Sequence, residues 1–288
     1  MIGIYSLGKL LKNAFPPESG PVRRLFIRML TQARAYRSQL HIQSLHPISE
    51  EVGNWAEQVK NKGFHVIEDY FTADECKQAI AELERLFSEY TELTVNRSDC
   101  RLFGVELASK ICRRLADDPK LLSVAEVING AKTVNFSTLG ARLDFTPNNM
   151  GSGEGWHRDS FPPQVKAILF LTDVTIENGP FQLIRDSAGF KQLIADTWTA
   201  RLGHYQHRFT DEQVQRLVKQ SPERLMTFTA RAGTLVLVNT GAIHRGSPIR
   251  SGTRYALTNY YMRKDQVTPE TDKHFGKRLT KQFLESVT

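Results

Sequence analysis

A chain of 288 residues, 40% hydrophobic and 24% charged, is long enough to bury a full core, and its composition excludes a disordered or collagen-like protein. Lys and Arg outnumber Asp and Glu by 38 to 31, a formal charge of +7, which favours anionic partners: a phosphorylated or CoA-bearing substrate, nucleic acid or an acidic membrane face. Cys76, Cys100 and Cys112 form no C-x-x-C pair, which excludes a disulfide framework and points to a reducing cytoplasm. No apolar run is long enough to span a bilayer, and the start of the chain lacks the charged region and cleavage site of a signal peptide.

Residues 1–50 read as an N-terminal extension, broken by Pro16, Pro17 and Pro21. Its second part sets Leu25, Ile27, Leu30 and Tyr36 among five arginines and predicts a basic amphipathic helix packed on its own domain. A single domain is expected over 51–288, with its core starting at the strand Gly63-Phe64-His65-Val66-Ile67. Thr72-Ala73-Asp74-Glu75 is a capping box that opens a helix to about Glu89, with Cys76, Ile80, Leu83 and Phe87 on one stripe. Further helices are expected over 105–116 and 119–128, the latter closed by Asn129-Gly130.

From Lys132 the pattern changes to strands, expected over 133–145, 165–171, 181–184, 226–229, 233–239 and 254–262. A Gly/Asn-rich loop covers 147–155, and Glu177-Asn178-Gly179-Pro180 is a strong turn. A polar, helical insertion interrupts the strands at about 190–226, with an N-cap at Thr210 or Asp211. Short strands joined by Gly and Pro turns, with helices gathered at the front, predict a mainly β jelly-roll or cupin-like barrel with flanking helices.

The chemistry centres on Gly155-Trp156-His157-Arg158-Asp159. In an extended segment side chains alternate, so His157 and Asp159 reach toward one point. His244 follows the strand 233–239. Two imidazoles and one carboxylate suit an octahedral Fe(II) with three positions open. Arg254 heads the last strand, where its guanidinium can hold a carboxylate through two parallel hydrogen bonds. The other six histidines, His41, His46, His65, His204, His207 and His274, have no such context.

These motifs resemble the phytanoyl-CoA dioxygenase family of non-haem iron, 2-oxoglutarate-dependent oxygenases. The resemblance spans about residues 60–265. It is carried by the strand at Gly63 with its capped helix, the segment 155–159, Leu171-Thr172-Asp173 through Asn178-Gly179-Pro180, and His244-Arg245-Gly246 followed by Arg254. It implies a double-stranded β-helix in which His157, Asp159 and His244 hold Fe(II) and Arg254 holds the far carboxylate of 2-oxoglutarate. It further implies dioxygen as co-substrate and hydroxylation with release of succinate and CO2. Halogenating relatives give up the carboxylate, which is retained here as Asp159.

The chain departs from the family at Arg185-Asp186-Ser187-Ala188, where many members read Pro-Gly-Ser-His, and at Gly246, where many have Ser; Ser247 stands next and is the candidate contact to 2-oxoglutarate. Arg142, Trp156, Gln182 and Arg245 are candidates for the substrate pocket. The expected partner is a small molecule, anionic or carrier-linked, and not nucleic acid. Two other readings stand beside this one: a cupin-type hydrolase or isomerase using Zn or Mn, and a non-catalytic barrel that binds an anion.

Overall fold

The computed structural model describes residues 48–96, 99–203 and 206–287; the amphipathic helix expected at 22–40 lies outside them. Helix α1 (Glu50–Lys62) starts at Ser49, whose hydroxyl accepts from the Val52 N–H, and ends at Gly63 in the left-handed region. Val52, Trp55, Ala56 and Val59 form its buried face at helical spacing, so the core begins here and not at Gly63 as the sequence suggests.

Strand β1 (Phe64–Ile67) leads to α2 (Ala73–Glu89), whose Thr72–Glu75 capping box forms as expected. The short strands β2 (Val95–Asn96) and β3 (Cys100–Phe103) were not expected. The helix expected over 105–116 is broken into α3 (Val105–Ala108) and α4 (Lys110–Ala116) by Ser109, which is extended at φ −134° and ψ 126°. Helix α5 (Pro119–Asn129) is capped by the Asp118 carboxylate and closed by Gly130 at φ 60°.

The remaining strands are β4 (Thr133–Asp144), β5 (Val165–Phe170), β6 (Phe181–Ile184), β7 (Leu225–Phe228), β8 (Leu235–Asn239), β9 (His244–Gly246) and β10 (Thr253–Arg263). They form a seven-stranded sheet, β1-β8-β5-β10-β4-β3-β2, and a three-stranded sheet, β7-β6-β9, antiparallel throughout. Two such sheets with flanking helices make the double-stranded β-helix expected from the motifs.

Alternation sorts the large sheet into two faces. Leu235 and Leu237 of β8, Val165, Ala167 and Leu169 of β5, and Leu257 and Tyr261 of β10 pack outward against α1, α2, α4 and α5. Phe170, Val236, Val238 and Ala256 point the other way and meet Phe181, Leu183 and Phe228 of the small sheet. Each fully buried Leu or Phe in these layers contributes roughly 1.5–3 kcal/mol. The site lies between the two sheets.

The polar insertion holds α6 (Phe190–Thr199) and α7 (Asp211–Gln220), with Thr210 as the α7 N-cap. Arg224 donates to both Asp196 oxygens at 2.7 and 2.8 Å and ties α6 to the start of β7. Beyond β10 come α8 (Pro269–Phe275) and α9 (Lys281–Val287), which the sequence did not disclose.

Candidate active site

His157 and His244 face each other as an antiparallel bridge, exchanging backbone hydrogen bonds of 2.8 Å in both directions. Their rings lie side by side, centroids 4.3 Å apart. The Asp159 N–H donates to the Thr240 carbonyl, which fixes the carboxylate beside them. Asp159 Oδ1 is 3.6 Å from His157 Nε2, and Oδ2 is 3.8 Å from His244 Nε2. One ligand atom from each residue lies within 4.8 Å of the others.

Both imidazoles are prepared for a metal. His157 Nδ1 sits 2.9 Å from the Gly155 carbonyl and His244 Nδ1 sits 2.9 Å from the Ala242 carbonyl. Donation to these acceptors assigns the proton to Nδ1 and leaves each Nε2 lone pair free. Burial lowers both pKa values, that of His244 to about 3, so the rings stay neutral. Burial alone would raise the Asp159 pKa, but the Lys166 ammonium beside it outweighs this and holds the carboxyl well below its usual range.

The triad opens into a cavity of about 550 Å³. Arg254 lies in the same cavity, buried at 4% exposure, and its Nε and Nη1 have no hydrogen-bond partner. Burial pushes its pKa down to about 10, only partly offset by Asp99. Apolar walls come from Leu139, Ala141, Leu143, Ile168, Phe170 and Phe181. Gly153, at φ +84°, lets the loop pass over His157: a Cβ there would sit 2.2 Å from the imidazole Cε1.

Sequence reasoning missed Lys166. Its ammonium is 2.7 Å from Asp159 Oδ2 and 4.1 Å from the Tyr260 ring centre, at 8% exposure. The available signal was its position on β5, one residue out of phase with the apolar Val165, Ala167 and Leu169 and so facing the site.

The structure places the four further candidates for the substrate pocket, Arg142, Trp156, Gln182 and Arg245, outside the lining of this cavity. Arg142, between the cavity-facing Ala141 and Leu143, turns to Glu84 and Asp144 on the other face of β4. Trp156 is buried with Ile184, Phe209 and Ile243, and the Arg245 guanidinium stacks on it at 4.4 Å. Arg245 also bonds Gln182 and Asp211, while Gln182 donates to Thr227. Ser247 donates to the Pro180 carbonyl at 2.7 Å and supports the turn at Gly179, where a Cβ would meet the Ser247 carbonyl oxygen at 2.7 Å. The three cysteines are buried and free, and burial raises each thiol pKa, that of Cys112 to about 12.

Two neutral imidazoles, an ionised carboxylate and a buried guanidinium thus meet in one cavity between two sheets, and the first three form a donor set that could hold a single metal ion. The phytanoyl-CoA dioxygenase family model matches residues 59–256, and the chain belongs to that family of iron- and 2-oxoglutarate-dependent oxygenases. It is 26% identical over 220 residues to an ectoine dioxygenase of Bordetella parapertussis, covering 66% of this chain and 68% of that protein. It is 27% identical over 173 residues to an L-proline trans-4-hydroxylase of Streptomyces griseoviridis, covering 53% and 63%. The fold matches the epimerase SnoN in complex with Fe3+, alpha ketoglutarate and nogalamycin RO at TM-score 0.56 and 18% identity, over 77% of this chain and 91% of that one. It also matches EctD from S. alaskensis with 2-oxoglutarate and 5-hydroxyectoine at TM-score 0.55 and 18% identity, over 78% and 80%. Among the described residues no helix is long and apolar enough to cross a membrane.

Proposed function

We propose that His157, Asp159 and His244 hold Fe(II), that Arg254 takes the distal carboxylate of 2-oxoglutarate, and that the enzyme hydroxylates an anionic small molecule in the cytoplasm. The observation that carries this reading is Arg254. A guanidinium left buried with Nε and Nη1 unpartnered, in the same cavity as the triad, is a site for a dicarboxylate that also reaches the metal. The family match together with Arg254 weighs against the zinc hydrolase reading.

Iron and 2-oxoglutarate together supply oxidation of a substrate C–H bond by dioxygen, with release of succinate and CO2. The chain's own residues arrange this chemistry. The Gly155 and Ala242 carbonyls orient the two imidazoles, and Lys166 keeps Asp159 ionised and holds one of its oxygens. Arg254 sets the direction in which the co-substrate lies. The walls at Leu139, Leu143, Ile168 and Phe170 exclude water. Retention of Asp159 keeps a third protein ligand in place and favours hydroxylation over halogenation.

Charge supports an anionic substrate. Of the cations that line the cavity, Arg101 is matched by Asp99, Lys166 by Asp159, and Arg254 is assigned to the co-substrate, which leaves Arg208 and Lys277. The test is succinate formation by the purified protein under air with Fe(II) and 2-oxoglutarate, alone and with ectoine, proline and larger organic acids. Succinate that requires both Fe(II) and oxygen, and that His244→Ala abolishes, is the expected result. Turnover without oxygen consumption would contradict the assignment.

A further inference from the structure

The cavity-facing row of β10 runs Arg254, Ala256, Thr258, Tyr260, Met262. At about 3.3 Å per residue, Arg254 and Tyr260 are roughly 20 Å apart along the strand. Lys166, opposite Tyr260 in the sheet, carries the contact to Asp159. The co-substrate's place therefore lies from the metal toward Arg254, and the space on the Tyr260 and Met262 side is left for substrate.

That side is walled by the end of the chain. Phe275 and Lys277, from α8 and the residues after it, line the same cavity, although the family match ends at residue 256. Phe275 meets Phe103 and Tyr260 edge-on, with ring centres 5.4 and 5.5 Å apart. The segment is strapped down: the Leu279 N–H donates to the Phe103 carbonyl at 2.9 Å. Gly104 makes room for it, since a Cβ there would sit 2.5 Å from the Leu279 carbonyl oxygen. Lys277 is exposed and donates to the Glu92 backbone carbonyl, whereas Arg101, which lines the same cavity, is matched by Asp99 at 2.5 Å.

We propose that the segment from Pro269 to Leu279 builds the substrate subsite at the cavity mouth and selects an organic acid with an apolar body. Phe275, Phe103 and Tyr260 receive the body, and Lys277 receives the acid group. This rests on the reading of the inner cavity as the iron and 2-oxoglutarate site.

The test uses full-length protein loaded with Fe(II) and 2-oxoglutarate under nitrogen, titrated calorimetrically with 4-phenylbutyrate, its uncharged amide, and butyrate. The native protein should bind 4-phenylbutyrate about tenfold more tightly than either of the others, charge and body each contributing. Lys277→Gln should erase the preference for acid over amide and leave 2-oxoglutarate affinity unchanged. Phe275→Ala should weaken acid and amide alike, and Phe275→Leu, which keeps an apolar side chain, should weaken both less. No binding of 4-phenylbutyrate, or an acid-to-amide ratio that Lys277→Gln leaves unchanged, would overturn the subsite. Failure of the native protein to bind iron or 2-oxoglutarate would instead overturn the reading of the inner cavity.

Discussion

Arg254 is buried at a cost to the ligand-free fold, because a charge without partners for Nε and Nη1 loses its hydration. Removing that unmatched group should stabilise the empty protein by about 1–3 kcal/mol. The same change should cost about 2–5 kcal/mol of 2-oxoglutarate binding. Arg254→Met is thus expected to melt higher than the native protein without ligand, to keep the thermal shift that iron brings, and to lose the further shift that 2-oxoglutarate adds. A lower melting point in the empty state would show that the guanidinium is matched in solution. Lys166 makes the opposite case. Its loss strands the Asp159 carboxylate, which costs roughly 3–5 kcal/mol when a buried pair is broken. A bound metal replaces that counter-charge, so Lys166→Met should destabilise the metal-free protein far more than the iron-loaded one. Equal losses in both states would exclude the pairing as the cause.

At the scale of strands, period-two alternation decides which residues belong to the site. His157, Asp159, His244 and Arg254 were legible because their side chains are chemically distinctive and their spacing is that of extended backbone. Arg142, Trp156, Gln182 and Arg245 were chosen for their chemistry, and each sits one residue out of phase with a cavity-facing neighbour. Following the phase outward from His157 and Arg254 would have set them off the cavity wall and found Lys166 on it. Arg142→Ala and Gln182→Ala are accordingly expected to change kcat/KM by no more than about threefold, as for substitutions away from a site. A hundredfold loss would put these side chains back in the pocket. The loop over the triad carries a sharper constraint: Gly153→Ala places a methyl against the His157 ring. Iron affinity should fall, and the side chain forced to φ +84° should also lower the melting point of the metal-free protein. Unaltered iron affinity would mean that the loop is free to move aside.

For the whole molecule, the barrel was readable because β-branched and apolar residues alternate between Gly and Pro turns, and a capping box at Thr72 and an N-cap at Thr210 announce two of its helices. The wall at 269–279 was not readable, since its contacts with Phe103 and Gly104 are distant in sequence and leave no local pattern. Helix α1 did leave one, the spacing Val52, Trp55, Ala56, Val59. The loop 147–155 and the insertion 190–226 together are proposed as a cover over the site. Arg208 supports this by donating to the Gly153 and Glu154 carbonyls and joining the two segments. Hydrogen exchange in both should slow together when iron, 2-oxoglutarate and substrate bind, and unchanged exchange would count against a cover. The central claim is that one metal and one 2-oxoglutarate share this cavity through different residues. It is tested most directly by anaerobic calorimetric titration of Fe(II), then 2-oxoglutarate, into the native protein, His244→Ala and Arg254→Met. The expected result is one of each per native chain, neither in His244→Ala, and iron without 2-oxoglutarate in Arg254→Met. Native iron stoichiometry in His244→Ala, or native 2-oxoglutarate affinity in Arg254→Met, would contradict it.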